Sequence, residues 1–360
     1  MTQQPSTEPR LVDIVTSPDR RAAYLRAGLW DSTTLPGRVA IHAEHRPAAP
    51  AVVDEEGQHS YRELHDDASR LATAMAAHGV AAGDVVSVQL PNRYETTVIA
   101  VATLSLGAVV NPLLPNYRAR ELAHVVSTAR PAMLFTPSTY RGFDHCALAA
   151  EVFAATQQAP VHVIVGGDAG QRAITYATLM AAGTPGPLGA GRAEAVSEVI
   201  FTSGTEAVPK AIMHTEQTAN FSVRVAFEDL GLGADDVVWM PSPVGHSTGF
   251  NYGLRFALYH GLPLVLQDRW DGDAAAALVA AHRCTYTLAA TTFLQDLIAA
   301  AARAGTGLDS LRYFGCGGAG GAGALFVHPR RHHLPAGPHR GRRPGWHQAR
   351  LAAVLRLRRR

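Results

Sequence analysis

The sequence predicts an α/β fold layered around mostly parallel strands, and three observations lead there. Short β-rich runs alternate with helix-length segments through most of the chain. Across 360 residues, 47% are hydrophobic and 17% charged, enough to bury a core and to exclude intrinsic disorder for most of the length. The longest apolar tract, Val98 to Val110, is interrupted by Thr103 and Ser105 and is too short to span a bilayer. It reads as a buried helix running into a strand.

Taken in order, Ser60-Tyr61-Arg62-Glu63 is a capping-box pattern, in which serine and glutamate side chains satisfy each other's backbone donors. Leu64, Ala68, Leu71 and Met75 follow at helical spacing, and Gly79 suits a C-terminal cap. The run Val85 to Leu90 stops at Pro91-Asn92. The next helix is expected over 94–106, with Gly107 ending it before a strand at Ala108 to Val110. Further strands are expected at 132–135, 161–165, 197–201, 237–240, 263–266, 284–288 and 311–314. Helices near 118–128, 215–229, 250–260, 273–282 and 291–303 separate several of them, and 181–191 reads as a linker or exposed loop.

Composition narrows the class. Cys146, Cys284 and Cys316 are far apart and form no C-x-x-C pair, so neither a disulfide framework nor a thiolate zinc site is indicated. The opening residues are polar and lack the apolar stretch of a signal peptide, and a cytoplasmic location is expected. Of 32 basic residues only one, Lys210, is lysine. The net charge of +2 conceals a split: residues 320–360 carry ten Arg and no acid, which leaves −8 for residues 1–319. This Gly-, Pro-, His- and Arg-rich tail lacks sustained periodicity and is expected to be disordered.

The strongest chemical motif is the apolar pair Ile200-Phe201 running into TSGTEAVPK at 202–210. Gly204 permits close backbone approach, Thr202, Ser203 and Thr205 offer hydroxyls beside N–H groups, and Lys210 adds a positive charge. Such a loop suits polyphosphate oxygens. It is not a Walker loop, because Lys210 follows Pro209 and precedes Ala211.

FTSGTEAVPKAIMHT resembles the phosphate-binding signature of the adenylate-forming (AMP-binding) superfamily, which includes acyl-CoA synthetases, peptide-synthetase adenylation domains and luciferases. Ala207 and Ala211 stand where that signature usually has glycine, stiffening the loop but sparing its hydroxyls and lysine. The resemblance runs over residues 40–319 in the family's order. It takes in the block from Tyr61 to Asn92, the block from Gly107 to Phe135, MPSPVGHSTGF at 240–250 and YFGCGGA at 313–319.

The resemblance implies the N-terminal portion of an adenylate-forming large domain and a two-step acid–thiol ligation. A carboxylate attacks the α-phosphate of ATP to give an acyl-adenylate and pyrophosphate, and the coenzyme A thiol then displaces AMP. It implies that Thr202, Ser203, Gly204, Thr205, Glu206 and Lys210 hold the phosphates, with Thr205 and Lys210 the catalytic pair. His246, Gly249 and Phe250 would lie at the acyl pocket, alongside Asn251 and Tyr252, and Gly317, Gly318 and Ala319 would border adenine. ATP, Mg2+ and coenzyme A are the implied cofactors, and a fatty or related carboxylic acid is the substrate.

Departures are equally specific. The family's downstream Y-G-x-T-E block, ribose aspartate and C-terminal lysine are missing, since no acid follows Asp309 and no lysine follows Lys210. The resulting plan is a lead-in over 1–39, an incomplete AMP-binding domain over 40–319 and the tail over 320–360. The tail is expected to be an altered-frame or disrupted end, with a basic nucleic-acid-binding arm as the alternative. Full turnover is not expected, and apolar surface left uncovered is expected to promote self-association. A non-enzymatic pseudo-ligase that binds nucleotide or acyl groups is the second reading.

Rival motifs are weaker. Gly245-His246-Ser247-Thr248-Gly249 matches G-x-S-x-G, which would make Ser247 the nucleophile of an α/β-hydrolase, but no HGGG-type loop lies upstream. Gly166 to Gly170 lacks G-x-G-x-x-G and reads as a turn. His328, His332, His333, His339 and His347 read as a chance cluster in a biased tail, and Cys316 as a packed residue.

Overall fold

The computed structural model describes residues 17–168, 170, 173–202, 209–305 and 307–316. They form two main sheets with helices between them and on both outer faces. The seven-stranded sheet runs, edge to edge, Lys210–Thr215, Val196–Thr202, Val109–Pro112, Val85–Val88, Met133–Pro137, Val161–Val165 and Ile174–Thr175. Only the pair Val196–Thr202 with Lys210–Thr215 is antiparallel. The six-stranded sheet runs Tyr313–Cys316, Tyr286–Ala289, Val238–Met240, Leu264–Leu266, Pro50–Val53 and Gln58–Ser60. Here only the last pair is antiparallel.

Strand residues divide between cores by the two-residue period of a pleated strand. In the seven-stranded sheet Val86, Val110 and Ile200 face the central core, while Val85, Val109 and Val199 face an outer one. In the six-stranded sheet Val238, Met240 and Leu264 face the centre, and Trp239 and Val265 face away. Both faces are apolar because helices cover both, as parallel sheets require. Ala119–Ala129 and His145–Thr156 cover one outer face, and Gly272–Ala281 and Thr291–Ala304 the other.

The central layer holds the helices Leu35–His45, Tyr61–Ala77, Tyr94–Ser105, Glu216–Asp229 and Phe256–His260. Tyr61–Ala77 begins at the expected box: Glu63 N donates to Ser60 Oγ at 3.2 Å, and Ser60 N donates to Glu63 Oε2 at 2.6 Å. Leu64, Ala68, Leu71 and Met75 are all fully buried. Tyr94–Ser105 is buried from end to end, which accounts for its unpatterned apolar sequence.

Two differences from the sequence reading affect the site. Leu35–His45 is a helix that the sequence reading did not identify, and its Leu35 and Val39 are fully buried in the central core. The expected helix over 250–260 is continuous, but its first part, Phe250–Arg255, is a wide π turn. No described helix is long and apolar enough to cross a membrane. The tail over 320–360 lies outside the described residues, as does its histidine cluster.

Candidate active site

The carboxyl ends of parallel strands from both sheets converge, which is where open α/β sheets bind ligands. Asn92 joins them. It follows the strand Val85–Val88, and its Nδ2 donates to Ser242 O at 2.9 Å, Gln267 O at 3.1 Å and Met240 O at 3.2 Å. Its Oδ1 accepts from Val244 N at 2.8 Å. One buried amide thus ties the loop that leaves Val238–Met240 to the other sheet.

That loop, Pro241 to Gly249, contains two glycines for steric reasons. A Cβ on Gly245 would strike the Leu113 carbonyl, just past the end of Val109–Pro112. A Cβ on Gly249 would strike the carbonyls of Pro243 and Ser242. Gly249 therefore lets the loop fold tightly on itself. His246, exposed at the loop's end, caps the short helix Ser247–Gly249: its Nδ1 accepts from Thr248 N at 3.2 Å. Desolvation holds this imidazole below the usual histidine value. An accepting Nδ1 leaves the neutral ring's proton on Nε2.

Phe250 is buried in the central core. Asn251 turns inward and donates to Glu198 Oε1 at 2.8 Å. Ser247 Oγ accepts from Asn251 Nδ2 at 3.5 Å, and no described histidine or carboxylate bonds to it, so the hydrolase reading finds no triad. Cys316 is buried, and desolvation raises its thiol pKa, consistent with a packed residue.

The hairpin lies alongside. Val196–Thr202 pairs with Val109–Pro112 through Glu198 and Val110, and with Lys210–Thr215 in a register that sets Thr202 opposite Lys210. Both residues are exposed, and Thr202 Oγ donates to Lys210 O at 3.5 Å. His124, on the helix Ala119–Ala129, steadies both strands: its Nε2 meets Pro209 O at 3.0 Å, and its ring sits edge-on to Phe201. Ser203, Gly204, Thr205 and Glu206 lie outside the described residues, as do Gly317, Gly318 and Ala319.

Among the described residues, no group of three or more histidine, cysteine or acidic side chains could hold a metal ion. Sequence reasoning missed Asn92, His124 and a buried cluster around Arg255. Their partners are distant in the chain, and only the break at Pro91-Asn92 gave any local signal.

Residues 39–325 match the AMP-binding enzyme family, and the chain belongs to it. It is 35% identical over 313 residues to the medium-chain fatty-acid–CoA ligase of Escherichia coli (strain K12), covering 85% of this chain and 55% of that protein. It is 34% identical over 289 residues to a 2-hydroxy-7-methoxy-5-methyl-1-naphthoate–CoA ligase of Streptomyces carzinostaticus, covering 75% and 50%. The apo structure of MbtA from Mycobacterium smegmatis superposes with a TM-score of 0.74 at 26% identity, covering 88% of this chain and 62% of that one. The chain spans about half the length of the curated relatives it matches.

Proposed function

We propose that this chain supplies the nucleotide and carboxylate sites of an ATP-dependent acid–thiol ligase. The observation that carries the reading is the convergence of the Thr202–Lys210 hairpin with the His246 loop at the strand carboxyl ends. The reaction joins a carboxylate to the α-phosphate of ATP, releasing pyrophosphate, and a coenzyme A thiol then displaces AMP. Both steps concentrate negative charge, so positioning and electrostatic stabilisation carry the catalysis.

In this reading Thr202, Ser203, Gly204, Thr205, Glu206 and Lys210 hold the triphosphate and the leaving pyrophosphate, and Gly317, Gly318 and Ala319 border adenine. His246 faces the carboxylic acid with Nε2–H outward, while Gly249 and Phe250 shape the wall behind it. Residues 40–319 act as the binding unit in the cytoplasm, with 1–39 leading in and 320–360 outside it. The names of the relatives favour two substrate classes, medium-chain fatty acids and aryl acids.

Calorimetric titration with MgATP tests the reading. Lys210→Ala should weaken binding on the order of tenfold, the loss of one charge-assisted phosphate contact. Unchanged affinity would remove the phosphate assignment. Competition between octanoate and salicylate in the presence of ATP separates the two acid classes.

A further inference from the structure

Arg255 is fully buried between the two sheets, beside the Phe250 ring, and all three of its guanidinium nitrogens make oriented hydrogen bonds. Its Nη2 donates to Glu198 Oε2 at 2.8 Å, and its Nη1 donates to both Glu216 Oε2 and Asn220 Oδ1 at 2.9 Å. Its Nε donates to Asn251 Oδ1 at 3.1 Å. Both glutamates are also buried. Three buried charges are an expensive way to fill a core, and apolar residues of similar volume often serve stability as well or better. What an apolar cluster lacks is direction.

The directions here are informative. Glu198 lies on the strand that ends in Thr202, four positions earlier and on the same face. Glu216 directly follows the strand that begins at Lys210, and its Oε2 also accepts from Leu35 N at 2.8 Å. Arg255 and Asn251 lie in the wide turn immediately after the His246 loop, and Asn251 reaches back to Ser247. One guanidinium therefore holds both strands of the hairpin and the segment that follows the loop.

We propose that Arg255 is a positioning residue that couples the ATP side of the site to the carboxylate side, an inference that rests on the ligase reading. It touches neither ligand. It sets the spacing and orientation of Thr202 and Lys210 against His246, so a ligand that orders one side alters affinity on the other.

The test is the affinity of the full chain for MgATP, with and without saturating octanoate. The double variant Glu198→Leu/Arg255→Met removes one charge of each sign and keeps the volume apolar. Because Arg255→Met leaves Glu216 without its cation, the thermal midpoint should fall; below that midpoint the variant should bind MgATP on the order of tenfold more weakly and lose the effect of octanoate. Arg255→Lys, which keeps the charge but not the planar fork, should recover part of that coupling. A folded double variant with the parent's affinity and coupling would overturn the inference. Should that variant fail to fold, Glu198→Gln takes its place; it retains the side-chain shape, and coupling equal to the parent's would overturn the inference equally. A parent chain that binds no MgATP overturns the ligase reading, and the inference falls with it.

Discussion

On one side of the crevice, the strand Lys210–Thr215 is the edge of its sheet and carries its lysine in the open. On the other, the loop from Pro241 to Gly249 is held by two hydrogen bonds to Asn92, through Ser242 O and Val244 N, and by two glycines packed against backbone. Thr202 and Lys210 are exposed on that edge, whereas the backbone of the loop bonds to and packs against the protein itself. An exposed side chain can turn toward a charged ligand, whereas a buried loop keeps its shape through bonds to its own protein. Substitution on the first side should therefore cost recognition, and on the second stability and position.

Acid should expose this contrast most strongly, because it acts on the scaffold and spares the edge. Burial holds His42, His145, His162 and His260 at about 4. In the unfolded chain these rings take protons near their ordinary value of about 6.5. Between those limits the unfolded state binds more protons, so stability falls as pH falls from about 6.5 towards 4, by about 1.4 kcal/mol per pH unit for each proton taken up. Urea midpoints at pH 7, 6 and 5 should decline steadily; a level series would show that these rings do not titrate with unfolding.

Asn92→Leu should come next. It leaves three buried carbonyls and the Val244 N–H without their partner, and a loss of about 3–5 kcal/mol is expected from urea unfolding. Gly249→Ala drives a methyl into the carbonyls of Pro243 and Ser242 and should cost about 1–3 kcal/mol. A crystal structure of that variant should show His246 displaced; an unmoved loop would contradict the packing argument. Lys210→Ala sharpens the comparison from the other side, since its unfolding free energy should stay within about 0.5 kcal/mol of the parent's.

What could be read in advance was what is local. The Ser60–Glu63 box needs residues three apart, and Thr202, Lys210 and His246 sit in short contiguous motifs. Strand positions were legible because runs such as Leu264–Leu266 are apolar throughout. The same uniformity hid which sheet each strand joins, since a run apolar on both faces shows no phase. Leu35–His45 was missed although its start carries a local signal: Thr34 Oγ1 accepts from Gly37 N, and Pro36 suits a first helical turn. Arg255 was invisible for a different reason: it meets Asn220, Glu216 and Glu198 across 35, 39 and 57 residues of chain. No local pattern marks such pairs.

The wide turn at Phe250–Arg255 has a consequence for the length of this segment as distinct from its chemistry. A π turn holds one residue more than the α-helical turn it replaces. Deleting a single residue there would restore α-helical spacing and leave the segments on either side near their present register. Phe256–His260 and the His246 loop would keep their relation, and the change would fall on the turn itself, from which Asn251 and Arg255 reach Glu198. The wide turn therefore confines a one-residue change in length to itself, whereas the same deletion in the α-helical stretch that follows would rotate what precedes it by about 100°.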